Sequence, residues 1–186
     1  MKKSTKVSKV SFWRDMFLYF WFFSLIGHIV ELIWGILGVA IGFKTWEAFL
    51  TIPIFAVAIP YGFGAVALLL TLYPLFRNKK INVATAFVLS ALITTAIEFI
   101  CALGAVLIFG SNPFWDYSNY SFNLFGFICL QNSLLFGLGS LVMLRYLFPL
   151  SEKILQRVKG KYVWVTFWIL FVGYIAVQIA RFTIWR

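Results

Sequence analysis

Apolar residues in this chain come in long blocks separated by short basic or turn-forming stretches. A helix of about 20 residues crosses the hydrocarbon of a bilayer, so each block is read as a span. The blocks predict spans over Met16 to Phe43, Phe49 to Phe76, Val83 to Phe109, Phe127 to Leu150 and Val163 to Ala180. Between them lie Lys44 to Glu47, the basic turn Arg77 to Lys80, the aromatic stretch Gly110 to Gly126, and a basic link carrying Lys153, Arg157, Lys159 and Lys161. The expected fold is all-α, a polytopic membrane helix bundle of about five transmembrane helices in one domain. Pro53 and Pro60 fall inside the second block and are expected to bend it, which neighbouring helices make tolerable.

The same blocks contain an internal pattern. Tyr61-Gly62-Phe63-Gly64-Ala65 leads to Tyr73-Pro74-Leu75, and Phe136-Gly137-Leu138-Gly139-Ser140 leads to Phe148-Pro149-Leu150 at equal spacing. An acid stands upstream of each, Glu31 in one case and Glu98 in the other. Two parallel copies of a helical hairpin are expected, about 12–80 and about 82–152, with an extra span about 161–182. Gly27, Gly62, Gly64, Gly137 and Gly139 are expected to let helices approach closely, and Pro60 to act with them as a hinge.

Composition narrows the class. Of 186 residues, 62% are hydrophobic and 12% charged, a balance that excludes an ordinary soluble domain. The formal net charge is +10. Its basic residues flank spans, so anionic lipid accounts for them and nucleic acid is excluded as a partner. Lys2, Lys3, Lys6, Lys9 and Arg14 precede the first span and place the N-terminus in the cytoplasm of a cell-membrane protein. That span is too long for a signal peptide and is read as uncleaved. Cys101 and Cys129 lie within apolar blocks and are read as free thiols. One histidine and two cysteines are poor material for a metal site, and no cofactor is expected.

Candidate chemistry gathers around the acids. A carboxylate within a span costs at least ~2.5 kcal/mol unless it is paired or faces water, so Glu31 and Glu98 mark a site. His28 shares a helix face with Glu31, and Gly27 leaves room beside them. Gln131, Asn132 and Ser133 form a polar cluster read either as helix glue or as cavity lining. Trp115, Asp116 and Tyr117 belong to the outer loop, where an interfacial aromatic belt and a gate are both open readings. Ser24, one turn before His28, is read as coincidence. No Gly-x-x-x-x-Gly-Lys-Ser/Thr segment occurs, so these residues contain no P-loop ATPase.

The residues Gly27…Glu31, Pro60-Tyr61-Gly62-Phe63-Gly64, Glu98, Trp115-Asp116-Tyr117-Ser118 and Phe122-Asn123-Leu124…Gly126…Ile128-Cys129-Leu130 resemble the ABC-transporter type IV family of bacterial membrane proteins, the CmpB group. The resemblance covers the first four spans and implies a transporter permease. Two positions depart from the family pattern: His28 stands where a Trp commonly follows the glycine, and Phe127 where an Arg commonly precedes Ile-Cys-Leu.

Three functions are therefore carried forward. One is a permease-like protein whose acids bind a proton, a cation or an amine-bearing solute, driven by ATP only through a separate ATPase subunit and expected as a homodimer. A second is a membrane-embedded enzyme modifying lipid, and the third a non-catalytic accessory or scaffold protein with structural acids. The sequence itself does not decide whether the chain is an enzyme.

Overall fold

The computed structural model describes residues 9–42 and 58–184. Among these are five helices: α1 (Lys9–Ala40), α2 (Ile59–Arg77), α3 (Val83–Phe109), α4 (Leu130–Arg157) and α5 (Gly160–Ile184). The segments Ser11–Ala40, Ile59–Arg77, Val83–Phe109 and Leu130–Arg157 are long and apolar enough to cross a membrane. In α5 the corresponding apolar stretch is Gly160–Gly173. The protein is an all-α membrane helix bundle with little sheet.

Local chemistry sets several helix ends. The Asn82 side chain caps α3 by accepting from the Thr85 N–H at 2.8 Å. Gly110 closes α3 at φ 78°, a left-handed conformation that costs glycine little, and its N–H returns to the Val106 carbonyl. A π-helical turn, Met143–Leu147, interrupts α4 without ending it.

Some expected boundaries change. The described helix α2 starts at Ile59, so Pro60 lies in its first turn. There the missing N–H breaks no intrahelical bond, and Pro60 is not a bend inside a span. Lys44 to Glu47, Phe49 and Pro53 fall outside the described residues. The fourth helix begins at Leu130 and continues through Arg157, so Lys153 and Arg157 are helical and not part of a link. Only Val158 and Lys159 separate α4 from α5, because the amphipathic end of α4 keeps an apolar face to pack.

Packing runs α1 on α2, α2 on α3 and α3 on α4, with α2 also meeting the π turn of α4. The core at their junction includes Phe23, Leu68, Leu72, Tyr73, Ala86, Leu144 and Phe148. Helix α5 lies against α1, where Phe17 meets Phe167 and Phe171 edge to face. Along α3, Val88, Leu92, Ile100, Leu103 and Leu107 stay exposed, Leu107 to 87%. Water would penalise such an apolar stripe, whereas lipid solvates it.

Two helix contacts share one register. A Cβ on Gly62 would strike Phe20 and Ser24 of α1, and a Cβ on Gly137 would strike Phe87 of α3 and press on Ala91. Phe87 and Ala91 lie as far along the chain from Phe20 and Ser24 as Glu98 lies from Glu31. Residues in matching positions of α2 and α4 also touch. Tyr61 meets Phe136 with ring centroids 5.7 Å apart, and Tyr73 meets Phe148 at 5.3 Å.

Candidate functional site

The site begins where α2 starts. The Ala58 N–H donates to the Ser24 carbonyl at 3.3 Å, which sets the first turn of α2 against the middle of α1. Gly62 then backs onto Phe20 and Ser24 with no space for a side chain. This contact lays the Tyr61 ring over Gly27, where an added Cβ would come within 2.7 Å of Tyr61 Cδ1. One helical turn beyond Gly27, the Tyr61 hydroxyl donates to Glu31 Oε1 at 2.6 Å. Gly27 therefore admits an aromatic ring, and the ring delivers a hydroxyl to the acid.

Glu98, 4% exposed, occupies the corresponding place on α3. Phe136 has no hydroxyl, and the partner comes from the aromatic stretch instead. Tyr117 donates to Glu98 Oε1 at 2.9 Å, and Asn132 Nδ2 in the first part of α4 donates to the Tyr117 hydroxyl oxygen. Burial, and then the negative charge of Glu98, push the Tyr117 hydroxyl far above the ordinary tyrosine range. It therefore remains a donor at any physiological pH.

The loop is built to turn Tyr117 inward. Asp116 Oδ1 accepts from the Ser118 N–H at 2.9 Å and from the Ser118 hydroxyl at 2.6 Å. These two bonds lower the pKa of the fully exposed Asp116 carboxyl. The Tyr117 N–H donates to the Gly126 carbonyl, and Trp115 Nε1 donates to the Phe127 carbonyl, both at 2.9 Å. Asn123 Oδ1 receives the Gly126 N–H at 3.0 Å, while its Nδ2 donates to the Tyr120 carbonyl at 2.8 Å. Two short antiparallel strands, β1 (Asn123–Leu124) and β2 (Ile128–Cys129), finish the fold-back. Phe127 packs its ring on Phe99 of α3, centroids 6.0 Å apart, at the position where the resemblance leads one to expect an Arg.

Tyr61 and Tyr117 thus bring one hydroxyl to each acid. Buried oxygens without a hydrogen-bond partner among the described residues are Glu98 Oε2, Thr95 Oγ1 one turn before it, and Ser24 Oγ on α1. The described residues include no cluster of three metal-ligating side chains.

His28 is buried on the same helix as Glu31. Gln131 is exposed and lies apart, so of the polar cluster only Asn132 enters the network; Ser133 turns back to the Cys129 carbonyl. Gly64 is buried at ordinary contact distance from Thr94. Gly139 is exposed, and a Cβ there would meet nothing within 4 Å, so this glycine seats no helix. Tyr61 stands within the Pro60-Tyr61-Gly62-Phe63-Gly64 motif, whose pattern by itself assigns it no role. Its position directly before the packed Gly62, at the head of an otherwise apolar helix, was the available signal.

Residues 18–181 match the family described as "Putative ABC-transporter type IV". The chain belongs to this family. The matched region holds every residue of the acidic site, from Gly27 to Asn132. A family of ABC-type transporter components agrees with four helices able to cross a membrane. No curated protein and no solved structure matches the chain.

Proposed function

We propose that the chain is a permease-like transport subunit of the cell membrane, in which Glu31 and Glu98 together take up a proton, a cation or an amine-bearing solute. One observation carries this reading. Two carboxylates sit among apolar helices, each oriented by a tyrosine hydroxyl. A carboxylate in a medium of low dielectric favours a bound positive charge, so an arriving cation or amine takes the place of a proton. Glu98 Oε2 and, one turn before it, Thr95 Oγ1 are further acceptors on α3, which suits a cation.

The matched registers at Gly62 and Gly137 and the paired contacts Tyr61–Phe136 and Tyr73–Phe148 support two parallel hairpin copies about an axis between α2 and α4. The acids then serve as related halves of one site. Basic residues flanking α1, α2 and α4 support an N-terminus in the cytoplasm. The 186 residues contain no P-loop, and the family description concerns ABC transport, so a separate ATPase subunit is the proposed source of energy. A bundle this small makes a thin wall for a pathway, and a second copy of the chain completes it.

Proton release tests the site without the ATPase. Purified protein in weakly buffered detergent is titrated with monovalent cations and with primary amines while pH is followed. Wild type releases protons on binding one of them; Glu31→Gln and Glu98→Gln release fewer, and the double variant none. A double variant that releases as many protons as wild type refutes the reading.

A further inference from the structure

One cavity lies away from the acids, at the basic end of the bundle. There α2, the turn after it, the start of α3 and the second half of α4 enclose an open space of about 650 Å³. Four cations line it, Arg77, Lys79, Arg145 and Lys153, against one acid, Glu152. That acid is already engaged: Arg77 Nη1 donates to its two oxygens at 3.2 and 2.9 Å, and the Tyr73 hydroxyl donates at 3.0 Å. Lys79, Arg145 and Lys153 make no ion pair among the described residues. The cavity therefore holds three uncompensated positive charges.

Two local features bring them together. Lys79 adopts φ 55°, a left-handed conformation that reverses the chain between α2 and α3. The π turn Met143–Leu147 adds a residue to one turn of α4, and every later residue is rotated by about 100° relative to an unbroken α-helix. Without that rotation, Lys153 and Glu152 would leave the face that bears the cavity. The α3 N-terminus, with its free amides, opens at the same place beside Asn82. Phe76, Ile81 and Leu144 supply apolar wall between the charges. A general basic bias at a membrane surface explains cations near helix ends. It does not explain their convergence on one concave, partly apolar space.

We propose that this cavity binds a phosphate-bearing anion, phosphate being the chemistry shared by an anionic lipid headgroup and a soluble phosphate ester. Arg145 offers the planar fork that matches phosphate oxygens, and Lys79 and Lys153 add point charges. This binding is independent of the acidic site.

The full chain, purified in detergent, is titrated with phosphatidylglycerol, phosphatidylcholine, glycerol 3-phosphate and inorganic phosphate, with thermal unfolding as the readout. Phosphatidylglycerol or a soluble phosphate stabilises the wild type, and phosphatidylcholine does so less. Lys79→Gln, Arg145→Gln and Lys153→Gln each weaken binding about fivefold, the loss expected per basic group facing an anionic headgroup. Arg145→Lys restores only part of the binding, because an ammonium keeps the charge but lacks the fork, and Lys159→Gln, outside the cavity, leaves it unchanged. Stabilisation by lipid alone assigns the headgroup as occupant; stabilisation by the soluble phosphates assigns a free ester. Equal affinity in wild type and all three cavity variants overturns the proposal, as does an equal loss in Lys159→Gln, which would mark diffuse surface attraction.

Discussion

Tyr61 and Phe136 meet edge to face at the middle of the bundle, ring centroids 5.7 Å apart, each directly before a buried glycine that seats its helix. They differ by one hydroxyl. Tyr61 gives its own to Glu31, whereas Phe136 has none to give, and Glu98 draws on Tyr117 from the loop. The first acid is thus served by a helix of its hairpin and the second by the loop that joins α3 to α4.

Removing either hydroxyl should leave a buried oxygen without its donor. Tyr61→Phe and Tyr117→Phe are each expected to destabilise by about 1–3 kcal/mol. Tyr117→Phe also strands Asn132, so its effect should fall partly on the loop. Gly27→Ala should reproduce the loss of Tyr61→Phe, because the Tyr61 ring must leave the helix surface to admit a methyl group. Thermal unfolding in detergent checks all three. A Gly27→Ala protein as stable as wild type would contradict the seating of Tyr61.

The glycines separate into two kinds. Gly62→Ala forces a methyl group to within 2.7 Å of the Phe20 carbonyl oxygen, and Gly137→Ala drives one into the Phe87 ring. Each should cost about 1–3 kcal/mol by overpacking. Gly139→Ala meets open space and should be neutral or stabilising by up to ~1 kcal/mol, since alanine favours the helix. The contrast between Gly137 and Gly139, two residues apart, is the informative measurement.

The loop carries a pH dependence of known sign. The bonds from Ser118 lower the Asp116 pKa in the folded loop, so the unfolded loop binds the proton more tightly. The contribution to loop stability is therefore present above the unfolded value near ~4 and is lost as pH falls through the folded value. Fluorescence of Trp115, which bonds within this loop, should report an opening step confined to acid below about pH 4. Eight tryptophans emit in this chain, so the signal is read as a difference against Trp115→Phe. Asp116→Asn should remove the step; its persistence would assign it to another group.

Topology is open to direct labelling. With Cys101 and Cys129 replaced, single cysteines at Asn78 and Asn119, both exposed, should react from opposite sides of intact cells. Asn119 should label from outside and Asn78 only after permeabilisation. Reaction of both from one side would overturn the orientation proposed from charge.

Hydropathy was legible because it is local. Four apolar blocks became membrane-long helices, and the paired Gly-x-Gly segments marked two helices that pack against α1 and α3. The acids stood out because a carboxylate in an apolar block is costly wherever the block is placed. Their partners were not legible. Whether Tyr117 lies along an interface or turns inward depends on Gly126 at φ 70° and on closure of β1 against β2, which bring residues of the loop together across its length. Whether Gly137 or Gly139 seats a helix depends on which side of α4 faces α3, and spacing gives both the same motif. Arg145, Glu152 and Lys153 share a cavity only because a π turn resets the phase of α4, and a fixed helical period cannot show such a slip. A one-dimensional pattern records the solvent each segment prefers. The partner each side chain meets is set by helix phase and packing angle, and those exist only once the helices are assembled.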